Sequence, residues 1–250
     1  MNSRRVEALR RHLRGVKRRL FWVLVAFGLG ASLTWYFRTP IILWLLVPGG
    51  ELFSATGRPV FTNPTDMIGV MIQLAMKGGF VVAFPVLVYQ VFQFLRPVLS
   101  KKHWRFLAIF LPAGFVCFFS GVAFAYFVVL PTGLRFLLQF GTDVADPMIR
   151  ITEYMGLVMA MLFWLGVVFE LPLAMFLLVR LRIVSYRRFT RFQRYVPVAA
   201  FLLSALITPT FDVVNSTLVA VPIIVLYEFG VFLAWMARVK QPKQRKPRQA

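Results

Sequence analysis

Three ionisable side chains stand inside otherwise apolar runs of this chain: Lys77, Glu170 and Glu228. A charge at the centre of a membrane-crossing helix costs about 2.5–3.5 kcal/mol on insertion scales, so such residues face a partner, a cavity or the bundle interior. By helical rise from the outer ends of their runs, Glu170 lies about 27 Å deep and Glu228 about 22 Å. Both carboxylates therefore fall in the inner half of the layer. Two readings stay open for each: a protonated acid hydrogen-bonded to a neighbouring helix, or a group that a partner uses. Lys77 is expected to snorkel outward along its stem. Other chemistry is poorly supplied. The only histidines, His12 and His103, lie in basic segments outside the apolar runs, so neither an intramembrane Ser–His pair nor an H-E-x-x-H zinc site can be drawn. There is no P-loop, and no aspartate inside a run to build an aspartyl dyad. The single cysteine, Cys117, excludes an intrachain disulfide and any Cys-based metal site. No enzymatic activity, metal or cofactor is expected.

The elements that carry these residues follow from composition. The 250 residues are 59% hydrophobic and 15% charged, with mean hydropathy +0.74. Soluble chains average about 45–50% apolar and about 25% charged, which excludes a soluble enzyme. The fold class expected is an all-α membrane protein of six transmembrane helices, over residues 20–37, 67–95, 104–130, 152–180, 195–207 and 213–237. Residues 1–237 form a single membrane domain, and 238–250 a basic cytoplasmic tail expected to be disordered. The fifth helix is short: its rise is about 20 Å against a hydrocarbon core of about 30 Å. The turn at 208–212 is then expected to sink below the outer surface, with Asn215 and Ser216 beside it. The alternative is a fifth helix that starts nearer Phe189. Between Pro40 and Pro48 an apolar run too short to cross reads as an interfacial helix, with Trp44 at headgroup level. Pro85, Pro112, Pro172, Pro197 and Pro222 bend their helices, and bent helices can enclose a concave surface.

Charge sets the orientation. The net charge is +20, and 24 of the 29 Lys and Arg fall in residues 4–19, 96–105, 180–194 and 238–248. These clusters abut the ends of apolar runs and alternate with loops holding Glu51, Asp66, Asp143, Asp146 and Asp212. That is the positive-inside pattern, with both termini cytoplasmic. It disfavours nucleic acid as the partner and favours anionic lipid, at about 1 kcal/mol per basic residue near the surface. The basic N-terminal stretch leads into a full-length apolar run with no small-residue cleavage site, so it does not read as a cleaved signal peptide.

Several short motifs follow one another along the chain: Pro64-Thr65-Asp66, Tyr89-Gln90, Phe169-Glu170-Leu171-Pro172, Thr208-Pro209 and Leu226-Tyr227-Glu228. In this order they resemble the TatC family, the multi-spanning receptor subunit of the twin-arginine protein translocase. Pro64-Thr65-Asp66 is similar to the P-T-E entering that family's second helix. Gly79, Pro85, Tyr89-Gln90, Phe94, Pro97 and Leu99 follow its spacing through that helix and the loop beyond. Ala123-Phe124-Ala125-Tyr126-Phe127 with Pro131 resembles the third helix, and Phe169-Glu170-Leu171-Pro172 the fourth. Arg194-Tyr195 with Thr208-Pro209 resembles the fifth, and Pro222 with Leu226-Tyr227-Glu228 the sixth. The resemblance runs over about residues 12–237.

What it implies is a glove-shaped six-helix receptor in a bacterial or archaeal cytoplasmic membrane. Such a receptor recognises folded proteins by signal peptides bearing two arginines. Its partners are TatA-like and TatB-like single-span proteins, self-association is expected, and the proton-motive force supplies the energy. Signal-peptide contacts are implied at His12, Leu13, Gly15, Arg19, Phe94, Pro97 and His103. Glu170 would meet a partner helix or the inserted signal. Thr208, Asn215 and Ser216 would dock a partner helix, and Pro48, Pro64, Asp66, Pro85, Gln90, Pro172 and Pro222 would be structural. Two departures touch recognition. The family's N-terminal H-L-x-E-L-R-x-R has Gly15 in place of its Glu, and the loop after the second helix has His103 where a Glu is usual. One extra residue also separates Thr208-Pro209 from Asp212. A paralogue that does not read twin arginines directly is therefore the second expectation. From another class, a proton-coupled solute transporter keyed on Glu170 and Glu228 stays third, disfavoured by the lack of an internal repeat.

Overall fold

A computed structural model describes the backbone of residues 3–52, 59–95, 104–139, 148–207 and 213–237, and the side chains of residues 17–50, 59–93, 110–137, 148–207 and 213–237. The described residues are helical almost throughout, as a lipid-facing chain must be to satisfy its own backbone groups. In chain order the helices are α1 (Ser3–Tyr36), α2 (Arg38–Leu46), α3 (Asp66–Leu95), α4 (Trp104–Phe124), α5 (Leu130–Gln139), α6 (Ile151–Val168), α7 (Leu171–Arg180), α8 (Tyr186–Phe192), α9 (Val196–Ile207) and α10 (Val213–Met236). Among the described residues, five stretches are long and apolar enough to cross a membrane: Lys17–Tyr36, Asp66–Gln93, Phe110–Leu137, Ile151–Arg180 and Val213–Met236. The 12 residues of α9 rise about 18 Å, short of a crossing on their own. A 3-10 turn, Gln193–Tyr195, joins α9 to α8, so the helical path there begins at Tyr186. Both the turn at 208–212 and the tail at 238–250 lie outside the described residues.

Helix α6 is the hub. It packs chiefly against α4 and α3, and its fully buried Met155, Val158, Met161 and Leu165 share one apolar core with Val70 and Leu74 of α3 and Val219 and Ile223 of α10. Helices α1 and α3 meet through small residues. A Cβ on Gly30 would lie 2.8 Å from the Gly79 carbonyl oxygen, so only glycine permits this backbone approach. Thr34 is also buried there, and its hydroxyl donates to the Gly30 carbonyl at 2.8 Å.

Helix α2 and the 3-10 turn Val47–Leu52, which contains Pro48, cap one end of the bundle. At the end of α2 the Trp44 carbonyl accepts from the Val47 N–H. Two buried tyrosines add bonds there: Tyr126 donates to the Trp44 carbonyl at 2.9 Å and Tyr154 to that of Leu45 at 3.0 Å. The Tyr126 ring also stacks on Trp44, with centroids 4.1 Å apart. Between α4 and α5, Ala125–Val129 form a π turn, which adds a residue to the turn and rotates the faces that follow.

At the same end, Asp66 opens α3. Its carboxylate accepts from the backbone N–H groups of Thr62 and Asn63, both at 3.1 Å, and faces Arg150 at 3.5 Å. Val60 forms an isolated bridge to Arg150, tying the chain before α3 to the chain before α6. Pro64 lies in the turn that precedes α3. Pro85 and Pro222 lie inside α3 and α10, and Pro172 stands at the start of α7, where a missing N–H costs nothing.

Candidate functional site

Glu170 sits in the break between α6 and α7, where Phe169 and Glu170 form a turn and Pro172 restarts the helix. Its backbone is satisfied: the N–H donates to Val167 at 3.1 Å and the carbonyl accepts from Ala174 at 2.8 Å. Its side chain is half-buried, makes no cap bond, and its Oε1 is buried without a hydrogen-bond partner among the described residues. The carboxylate faces Gly114 of α4. A Cβ there would lie 3.6 Å from both oxygens and 3.4 Å from Val88 of α3. A larger residue at 114 would fill the space in front of Glu170.

Lys77 is half-buried on α3 and does not reach Glu170. It stands 11 residues before Val88, about 16 Å along the helix, and no ion pair joins the two among the described residues. It lines a cavity of about 230 Å³ with Thr34, Trp44, Val122, Met159 and Phe163, an otherwise apolar wall. Glu228 is different again. It is exposed on α10 and accepts a hydrogen bond from the Gln193 side-chain amide, while the adjacent Tyr227 hydroxyl donates to the Phe189 carbonyl at 2.9 Å. Of the two intramembrane carboxylates, Glu228 is thus engaged in holding α10 to α8 and the turn after it, whereas Glu170 keeps an unused oxygen.

The residues expected to dock a partner helix divide as well. Asn215, in the first turn of α10, is 1% exposed, and a Cβ on Gly133 of α5 would come within 2.7 Å of its Oδ1. Ser216 is half-buried next to it. Thr208 lies outside the described residues. Of the expected signal contacts, His12, Leu13 and Gly15 fall within α1 and Phe94 within α3, described in backbone only; Pro97 and His103 lie outside the described residues. Arg19 lines a groove of about 540 Å³ with Arg18, Trp22, Tyr89, Gln90 and Gln93, between α1 and α3. Among the described residues no carboxylate lines this groove.

The model of the family described as Sec-independent protein translocase protein (TatC) matches residues 11–222. The chain belongs to the TatC family. The TatC of Deinococcus radiodurans is 36% identical over 239 residues, covering 94% of this chain and 88% of that protein. The TatC of Koribacter versatilis is 32% identical over 241 residues, covering 95% and 89%. A crystal structure of the twin-arginine translocase receptor TatC superposes with a TM-score of 0.82 at 30% identity, covering 90% of this chain and 99% of that one.

TatC proteins are components of a protein translocase, so this chain is a transport component and not an enzyme. No cluster of three metal-ligating side chains occurs among the described residues. Sequence reasoning singled out Arg19 but missed that Arg18 and Trp22 on α1 face Tyr89 and Gln93 on α3. A signal was available in the i, i+4 spacing of Arg18 with Trp22 and of Tyr89 with Gln93, which puts each pair on one helix face.

Proposed function

We propose that this chain is the core receptor of a twin-arginine translocase, exporting folded proteins across the membrane at the expense of the proton-motive force. The reading is carried by one observation: likeness to TatC proteins in sequence and fold along nearly the whole chain. Six crossings are proposed, with α9 and its lead-in as the fifth and both termini cytoplasmic, because the basic clusters then all fall inside. Glu170 is the residue proposed to meet an inserted signal or partner helix, since its buried oxygen is unused by the fold. Thr208 and Ser216 are proposed to dock TatA-like or TatB-like single-span partners, with Asn215 fixing the start of α10 against α5. Self-association completes the working assembly. The test is complementation: cells lacking their own receptor, supplied with this chain and its TatA-like partner, should export a folded reporter carrying a twin-arginine signal. A paired-lysine signal should fail, and failure of both signals would remove the reading.

A specific observation favours a second reading, a paralogue that does not bind twin arginines directly. The groove at the inner ends of α1 and α3 presents Arg18 and Arg19 and no acid among the described residues, and the motif upstream has Gly15. Export that persists with both signals, or that needs an added signal-binding partner, would select it.

A further inference from the structure

We propose that the groove between the inner ends of α1 and α3 binds the phosphodiester headgroup of an anionic membrane lipid. The proposal rests on the inward orientation argued above and not on signal recognition, so its failure leaves the export role untouched. Depth supports it first. In the sequence the apolar run of α1 begins at Leu20, after Arg18 and Arg19, and that of α3 ends at Leu95, before Arg96. All six lining residues therefore lie within about two turns of the apolar boundary, where headgroups sit and where Trp and Tyr concentrate.

Donor chemistry supports it next. The Arg18 guanidinium offers forked N–H donors that match phosphate geometry, and Arg19 adds a second positive charge. The Gln93 amide donates to the Tyr89 hydroxyl oxygen at 2.7 Å, which leaves the Tyr89 O–H to donate outward. Gln90 and the Trp22 indole add neutral donors. A phosphodiester carries one negative charge and accepts only, so it complements a groove of donors that no carboxylate lines among the described residues. Above the groove α1 exposes Phe21, Leu24 and Leu29, apolar surface along which acyl chains can run. A soluble anion shares the headgroup's chemistry but gains nothing from that surface.

The experiment uses the full chain in nanodiscs of mixed phosphatidylglycerol and phosphatidylcholine, released for native mass spectrometry. The unaltered protein should retain phosphatidylglycerol in preference to phosphatidylcholine. Arg18→Gln with Arg19→Gln should weaken retention about tenfold or more, and Arg187→Gln with Arg188→Gln on α8 less than about threefold. Equal losses from the two pairs would mean only a diffuse basic surface, and no preference in the unaltered chain would mean no site; either overturns the proposal. Displacement of the lipid by millimolar inorganic phosphate would make the ligand a soluble anion and also overturn it. A photoreactive phosphatidylglycerol on the unaltered chain avoids dependence on how the variants fold. It should label the peptides holding Trp22 and Tyr89, and labelling only elsewhere contradicts the site.

Discussion

Replacing Glu170 with alanine removes a carboxylate whose buried Oε1 has no hydrogen-bond partner among the described residues. No cap bond is lost, because α7 begins without one from this side chain, and no hydrogen bond to Oε1 is lost, because none exists among the described residues. Against that, a charge in a span is worth up to about 2.5–3.5 kcal/mol of penalty at the bilayer centre. Half-burial and the inner position scale this down, to a gain of about 1 kcal/mol. For a chain of this size that is a rise of about 2–4 °C in the unfolding midpoint. Export should move the other way, falling about tenfold or more if the carboxylate makes one charge-assisted contact to a signal or partner. The assay pairs thermal unfolding in detergent with export of a folded reporter, and Glu170→Gln keeps the shape as a control. Lower stability with lost export would return Glu170 to a structural role. Unchanged export would refute the reasoning outright.

Three further outcomes are expected. Lys77→Met removes a cation from a wall that is otherwise apolar; the thermal midpoint should rise and export stay level, whereas lost export would give Lys77 a function. Asp66→Ala strands two backbone N–H groups and leaves Arg150 only its pair with Glu153; it should cost about 1–2 kcal/mol in thermal or denaturant unfolding. Gly15→Glu together with His103→Glu should strengthen binding of a twin-arginine peptide by about tenfold to a hundredfold, more at low salt than at high; titration calorimetry at two ionic strengths measures it, and tight binding by the unaltered chain would show that other groups read the arginines.

The helical membrane class was legible because lipid removes the need for alternation: a run such as 152–180 is apolar on every face, and its length alone marks a crossing. Local breaks were legible only where a residue type announces them. Pro172 marks the restart of α7, but nothing in Ala125–Val129 announces a π turn. That turn carries Tyr126, which bonds a carbonyl 82 residues away, a contact no local window can hold. The fate of the carboxylates was hidden for the same reason. Glu170 and Glu228 look alike in sequence, each within an apolar run and close to a tyrosine, proline or phenylalanine. They part only because Gln193, 35 residues before Glu228, reaches its side chain, while Glu170 opens onto a glycine of another helix. The basic groove was half visible: its arginines belong to a motif, but its aromatic and amide donors come from a helix about 70 residues on, brought close by the α1–α3 glycine contact.

The most direct test of the central claim is transport into inverted membrane vesicles made from cells that hold this chain as their sole receptor, together with its TatA-like partner. A folded reporter with a twin-arginine signal should become protease-protected when a proton gradient is imposed, and should stay accessible when the gradient is collapsed or Glu170 is replaced by alanine. Protection that ignores the gradient, or none with every partner supplied, would contradict the account.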